Sequence, residues 1–346
     1  MTAQDDCYIH GPDSFPRRDG CMCEKCIPKK VIDRTTGPRP RRMNEVNQTS
    51  EQRAGWVDGL AEWTEGDTAY LSIAFTWKLR EARDRARSYA ALGYRVIAGG
   101  PALFLPSWRR YMEQDAEVGA IYPDVVTKHH PLATIASRGC PVGCWFCTVP
   151  AMWGREFTLI PDFVVRPVLC DDNLSALPVE YQDHIIGRYI AEHVPLLDAN
   201  SGFEPQTFDA GTLERWSKIL RGPWRFGYDE LKEREAVRRM MGLLRDSGVK
   251  PRKMQVYCMI GHEPIADCVQ RIEEIIAWGG EPYVQRNMKL NVPERIPWVR
   301  HDWTLQKLAH VTRWANRRIW RYASFQDYDA NAKTSSRASE AQMVLA

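Results

Sequence analysis

The sequence lacks any long hydrophobic run. Its 346 residues hold no stretch of about 18 uncharged apolar residues, so we expect no membrane-spanning helix. The opening residues MTAQDDCYIHGPDSF carry acids and lack the apolar segment of a secretory signal, so we expect a cytoplasmic protein.

The chain also has little net charge. Its 47 Lys and Arg and 44 Asp and Glu leave a formal charge of +3, too small to indicate a polyanion-binding protein by itself. Hydrophobic residues make up 44%, which is enough for a buried core and excludes a chain that is disordered throughout.

Disulfides are a poor explanation for the 10 cysteines, since a cytoplasmic protein keeps its thiols reduced. Most of them fall into two tight clusters. These are Cys7, Cys21, Cys23 and Cys26, and then Cys140, Cys144 and Cys147. Such clusters indicate metal binding.

Periodicity and composition divide the chain into five parts. Residues 1–35 are rich in cysteine, 36–55 form a linker, 56–128 a βα region, 129–295 a larger core, and 296–346 a basic helix with a polar tail. In the βα region, strands are predicted at 69–75 and 94–99 around an Arg-rich helix at 78–92. The core alternates six apolar runs with helices: 132–137, 164–169, 193–197, 224–228, 255–260 and 282–290. This pattern predicts an α/β fold with a parallel sheet.

The first core strand leads into SRGCPVGCWFCTVP, residues 137–150. Three of its residues, Cys140, Cys144 and Cys147, stand at spacings that allow them to surround one face of a 4Fe–4S cluster. Gly139 and Gly143 permit positive φ there. Three thiolates leave one iron open, whereas electron carriers normally use four. A zinc knuckle is the alternative interpretation.

The segment CPVGCWFC resembles the cysteine loop of the radical S-adenosylmethionine (radical SAM) enzymes, with Phe146 as the aromatic residue that contacts the cofactor. The resemblance implies a partial (β/α)6 barrel over 129–295. It also implies that SAM chelates the open iron, that a reductant such as a flavodoxin supplies an electron, and that a 5′-deoxyadenosyl radical abstracts a hydrogen atom from the substrate.

Other site residues follow from the same resemblance. It implies catalytic roles for Asp171, Asp172 and His262, and cofactor contacts for Asp171, Asn173 and Gly261. A helix N-cap at 171–173 would look identical in sequence, and a lone His is often a surface residue. Because a helix has one N-cap position, we expect at least one of the two aspartates to face the cavity. The Gly-Gly-Glu segment of many relatives is absent.

The βα region resembles the domain that precedes the core in cobalamin-dependent radical SAM enzymes. It lacks the Asp-x-His-x-x-Gly motif that supplies an axial histidine to cobalt. We therefore expect a degenerate domain that packs on the barrel without binding cobalamin.

The N-terminal cluster Cys7, Cys21, Cys23 and Cys26 favours tetrahedral zinc, whose binding would fold a polar segment. An auxiliary iron–sulfur cluster and reduced surface thiols are the alternatives.

Basic residues beside aromatics favour a DNA or RNA substrate. In the C-terminal helix, predicted at 303–322, these are Arg313, Arg317, Arg318, Arg321, Trp314 and Trp320. The domain organisation resembles that of viral radical SAM isomerases, which rearrange an aminoacyl-thymidine in DNA. The alternatives are a radical methyl- or methylthio-transferase acting on RNA, and a non-enzymatic zinc-containing nucleic-acid-binding protein.

Overall fold

The computed structural model describes residues 55–119, 124–200 and 202–328. The chain divides into two units, Met1–Ala54 and Gly55–Ala346, and only the second contains described residues. Cys7, Cys21, Cys23 and Cys26 therefore lie outside them, and zinc binding there stays a prediction.

Residues 55–119, called the sheet domain below, carry a four-stranded sheet in the order β1-β2-β3-β4. The strands are β1 Leu60–Glu65, β2 Thr68–Ile73, β3 Arg95–Gly99 and β4 Glu117–Val118, with helices α1 Leu79–Ala91 and α2 Pro106–Met112. β1 and β2 form an antiparallel hairpin, while β2, β3 and β4 run parallel. The βα pattern predicted here is confirmed.

Helix α1 buries one narrow face and exposes its arginines. Leu79, Ala82 and Ala86 recur at helical spacing and are fully buried against the sheet. After β3, Gly100 has φ +108°, and a Cβ there would lie 2.5 Å from the Ile73 carbonyl oxygen. Only glycine fits this turn without moving β2.

The core continues from residue 124 to residue 328 and has a mixed α/β architecture. Its parallel strands form two sheets, β5-β8-β9 and β10-β11-β12. A parallel bridge between Phe203 and Phe226 joins the sheets, so six strands follow one another in chain order. The strands are β5 Ala133–Thr134, β8 Val168–Leu169, β9 Asp198–Ala199, β10 Trp224–Gly227, β11 Met254–Ile260 and β12 Glu281–Arg286. Between β5 and β8, β6 Ser137–Arg138 pairs antiparallel with β7 Thr158–Leu159.

The core helices are α3 Val126–His129, α4 Val149–Trp153, α5 Val179–Ala191, α6 Ala210–Ser217, α7 Arg234–Asp246, α8 Ile265–Ala277 and α9 Leu305–Asn316. The longer helices, α5 to α9, contribute buried residues to one hydrophobic cluster that they share with the strands. Strand β11 illustrates the pattern. Alternate residues of a strand face the same side, so Val256, Cys258 and Ile260 all lie in this cluster and are fully buried. Within the described residues, no helix is long and apolar enough to cross a bilayer.

Several predicted boundaries differ from the structure. The strands predicted at 164–169 and 282–290 lie at Val168–Leu169 and Glu281–Arg286, and two other differences are larger. The third core strand lies at Asp198–Ala199 rather than 193–197, because His193 turns the chain with a positive φ of 55° after α5. The last helix ends at Asn316 rather than 322, since Arg318 adopts a left-handed conformation.

Candidate active site

The cysteine loop, residues 139–157, connects the paired strands β6 and β7. Two of its glycines have the positive φ values expected from the sequence, +98° at Gly139 and +68° at Gly143. A Cβ on Gly139 would overlap the Glu156 carbonyl oxygen, so the two limbs of the loop approach as closely as a glycine allows. The Cys147 amide donates to the Cys144 carbonyl at 3.0 Å and turns the chain between the thiols.

Cys140, Cys144 and Cys147 are partly buried and electrostatically coupled. Burial raises the pKa of Cys144 to about 12, and the nearby Glu204 carboxylate adds to the shift. Burial also raises the pKa of Cys147. Without a cation the Cys144 and Cys147 thiols are therefore protonated, whereas a bound metal would deprotonate them. No three Cys, His, Asp or Glu side chains in the described ranges are grouped around a single metal ion. In a 4Fe–4S cluster each thiolate binds a different iron. Its three thiol ligands therefore lie farther from one another than the ligands of a single metal ion do.

Residues 171–173, which follow β8, hold the base of this loop and are called the clamp below. Asp171 accepts hydrogen bonds from the Ala136 amide at 2.7 Å and the Ser137 hydroxyl at 2.5 Å. Asp172 accepts from the Gly139 amide at 2.8 Å. The clamp thus binds successive points of β6 and the loop.

The third clamp residue, Asn173, is buried and reaches a thiol. Its amide nitrogen donates to the Cys140 sulfur at 3.4 Å.

The two carboxylates of the clamp differ in burial and in their partners. Asp171 is fully buried, and burial raises its pKa to about 6, although the hydrogen bonds from Ser137 and Ala136 oppose the shift. Asp172 lies against the Arg138 guanidinium at 3.6 Å. Neither caps a helix; both hold the loop. Their contacts favour positioning roles, and the predicted catalytic roles stay predictions.

Gly261 and His262 follow β11. Gly261 has φ +109°, and a Cβ there would lie 2.8 Å from the Trp298 carbonyl oxygen, so close packing explains this glycine. His262 is only 7% exposed, and burial lowers its pKa. Its Nε2 donates to the Asp229 carbonyl at 2.9 Å, and its buried Nδ1 has no hydrogen-bond partner within the described part of the chain. A neutral imidazole therefore presents a free acceptor.

Aromatic rings connect His262 to the cysteine loop. The ring of Trp145, which is 46% exposed, lies 5.3 Å from the His262 ring and 5.5 Å from that of Phe146. The predicted residues Phe146 and His262 are thus on one side of the loop, while the clamp holds its base.

Three acidic residues were missed by the sequence reasoning: Glu204 and Glu233, which lie near Cys144, and Asp229, which lies near these two carboxylates. Burial raises the pKa of Glu204 and Glu233, and the Glu233 carboxylate also raises the pKa of Glu204. Burial of its carboxylate raises the pKa of Asp229 to about 7, and this carboxylate accepts a hydrogen bond from the Met259 amide at 2.6 Å. Asp229 and Glu233 lie just beyond β10, and this position after a parallel strand was the available signal.

A cavity of about 1060 Å³ lies between the sheet domain and the core. On one side it meets the turn after β3 and the aromatic rings of Trp63 and Tyr70. On the other side it meets Arg138, whose guanidinium donates to the Cys170 carbonyl at 3.0 Å, so it reaches the base of the cysteine loop. The sheet domain therefore packs on the core, as expected, but encloses space large enough for a sizeable ligand.

The cavity also contains an imidazole that the sequence reasoning did not select. His129 lines it, its Nε2 lies 2.8 Å from the Ser72 hydroxyl, and burial lowers its pKa.

Two of the four C-terminal arginines predicted to contact nucleic acid share one carboxylate. Arg318 and Arg321 both pair with Glu281, and Trp314 is buried with its indole donating to the Ala323 carbonyl at 2.9 Å. On α1 the arginines pair likewise. Arg83 and Arg87 bind Asp115, Arg85 lies 3.6 Å from Glu62, and Arg80 binds Glu294.

No family model and no curated protein matches this chain. Its fold is similar to that of the radical S-adenosylmethionine methyltransferase TsrM from Kitasatospora setae, solved with cobalamin and a 4Fe–4S cluster bound. The TM-score is 0.47 at 10% identity over 64% of this chain. The chain spans 62% of the length of that protein. At this level of similarity the function must be inferred from the site.

Proposed function

We propose that this chain is a radical SAM enzyme, which reductively cleaves S-adenosylmethionine and abstracts a hydrogen atom from its substrate. The supporting observation is the cysteine loop, in which three coupled thiols stand on a glycine-shaped turn held by the clamp. We assign the core as the partial (β/α)6 barrel of such an enzyme.

The residues fit a 4Fe–4S cluster bound through Cys140, Cys144 and Cys147. The loop brings a guanidinium, that of Arg155, close to Gly143, where it would offset the negative charge of a cluster. When bound, such a cluster supplies the electron that breaks the C5′–S bond of SAM, giving methionine and a 5′-deoxyadenosyl radical.

The surrounding side chains have the chemistry to bind SAM. Glu204 and Glu233 place negative charge beside Cys144, which suits the ammonium and sulfonium groups of the ligand. Trp145 exposes a ring on which adenine can stack, and the free acceptor of His262 lies beside it. We assign Phe146 to the same contact surface.

The substrate is less defined. Rearrangement of an aminoacyl-thymidine in DNA remains our proposal for the reaction, with a flavodoxin-type protein as the electron donor. The ion pairs of α1 and of the C-terminal arginines reduce its electrostatic support, because paired arginines are poor phosphate ligands.

Methyl transfer with a corrinoid cofactor is a second candidate function, and the observation that favours it is the cavity. Its size, its apolar rings and the imidazole of His129 suit a large planar ligand. Ile97, on β3, lines it, and Leu92 is exposed outside it. Hydroxocobalamin added to the full chain should bind and change its visible spectrum, Ile97→Trp should weaken binding at least tenfold, and Leu92→Trp should not. Absence of binding to the unmodified chain excludes this candidate.

The main proposal is tested with full-length protein purified without oxygen and reconstituted with iron and sulfide. We expect a brown protein that forms 5′-deoxyadenosine from SAM after dithionite reduction, detected by mass spectrometry. Cys144→Ala should abolish both cluster and product. Cys258→Ala, which alters a buried cysteine outside the loop, is the matched control and should retain them. A colourless zinc protein that leaves SAM intact would favour the non-enzymatic nucleic-acid-binding alternative.

A further inference from the structure

We propose that Asn173 is a positioning residue whose amide donates a hydrogen bond to the Cys140 sulfur and raises the reduction potential of the cluster bound there. This inference rests on the proposed function, since it concerns the cluster of a radical SAM enzyme. It gives Asn173 a role towards the cluster in place of a contact with SAM.

The orientation of the Asn173 amide is fixed by its neighbours. The Ala176 backbone amide lies 3.2 Å from Oδ1 and can only donate, so Oδ1 must be the oxygen. The single hydrogen of the Ser175 hydroxyl has two acceptors in reach, Oδ1 at 3.4 Å and the Glu204 carbonyl at 3.2 Å. Nδ2 is therefore the atom that faces Cys140, at 3.4 Å, and it can only donate.

The side chain has little freedom to move away from the sulfur. Asn173 is 5% exposed, and Ser175 is itself held by the Glu204 amide at 2.8 Å and the Thr207 hydroxyl at 2.9 Å. The donor is thus placed before any cluster binds, so little ordering is needed on binding.

Asn173 differs from the other two clamp residues in what it touches. Asp171 and Asp172 bind backbone and hydroxyl groups of the loop base, whereas Asn173 reaches a thiol and carries no charge. A hydrogen bond to a cluster thiolate disperses negative charge and favours the reduced state, which is the more negative one. Removing the donor should therefore lower the potential without altering the charge of the site.

The test is an EPR-monitored redox titration of the reconstituted full chain without SAM, with Asn173→Leu as the variant. The expected loss is up to about tenfold in the reduced-to-oxidised ratio at a fixed potential, equivalent to about 59 mV for one electron. Asn200→Leu is the matched control for the potential alone, because the Asn200 amide faces Cys170, a thiol outside the loop, at 3.9 Å.

A measurement on the unmodified protein guards against misfolding of the variant. With asparagine side chains labelled with 15N, pulsed EPR of the reduced cluster should detect a weak coupling to nitrogen. A variant that binds iron normally with an unchanged potential, or absence of the coupling, overturns the inference alone. Failure of the unmodified chain to assemble any cluster overturns the proposed function and this inference with it.

Discussion

Two parallel strands in the described part of the chain are followed by turns with different kinds of side chain. β3 ends in Gly99 and continues into Gly100 and Pro101, which carry no ionisable group and border the cavity. β8 is followed by the clamp, in which Asp172 and Asn173 are hydrogen-bonded to the cysteine loop and Asp171 to the residues just before it. One strand end leaves space for a ligand, and the other builds the support for the cysteine loop.

The comparison shows that position at a strand end does not define a residue's role. Ligands of parallel α/β proteins bind beyond these ends, so both turns are reasonable candidates from sequence. The partners available in the fold decide between them. Asp171 finds the Ala136 amide and Ser137 hydroxyl, whereas the turn after β3 has little side chain to offer.

The largest effect is expected from adding a side chain at Gly139, where the two limbs of the cysteine loop are closest. Gly139→Ala should lower the free energy of unfolding by about 4 kcal/mol and prevent iron binding, because positive φ is strained for alanine and its Cβ overlaps the Glu156 backbone. Gly154→Ala, at φ +86° in open space, should cost about 1–2 kcal/mol. Denaturant unfolding and iron analysis measure both, and equal effects would refute close packing as the cause.

The next effect comes from removing the buried carboxylate of the clamp. Asp171→Ala leaves the Ala136 amide and the Ser137 hydroxyl without their acceptor and should cost about 3–4 kcal/mol of unfolding free energy. Asp172→Ala loses the bond from the Gly139 amide and should cost less, about 1 kcal/mol. If the two variants are equally stable, burial is not what distinguishes these carboxylates.

The raised pKa of Asp171 makes stability depend on pH. Because its folded pKa, about 6, exceeds the ordinary value of 3.8, the folded state binds the proton more tightly than the unfolded state does. Its contribution is present in full below about pH 4 and is lost as the pH rises to about 6, a change of about 2–3 kcal/mol.

Asp171→Asn should flatten this part of the stability profile of the metal-free chain. Unfolding at several pH values checks the slope, and an unchanged slope in the variant would assign it to another group, with buried Asp229 the first to examine.

The smallest effect is expected at the surface of the sheet domain. The ion pair between Arg95 and Glu117 is exposed on both sides, at 58% and 59%. Arg95→Gln should leave the melting temperature unchanged within error at physiological salt, because water and ions screen such pairs. A marked loss of stability would mean that exposed and buried carboxylates contribute alike in this fold.

The sequence predicted the parts of the site that depend on neighbours along the chain. The positive φ of Gly139 and Gly143 follows from local spacing and is observed. The sequence left Trp314 either at a nucleic-acid surface or packed on the core, and the structure places it in the core. Helical periodicity shows that a residue lies on one face but not what covers that face.

The sequence by itself determined the alternation of strands and helices and the cysteine spacing, because backbone preferences and hydrophobic period are encoded within a few residues. Only the tertiary structure decided that Asp171 supports the loop, that Asn173 meets Cys140, and that space remains beside the sheet domain. The first two contacts join residues 35 and 33 positions apart in the chain. Such pairings depend on how strands associate, and one sequence read along its length does not specify them.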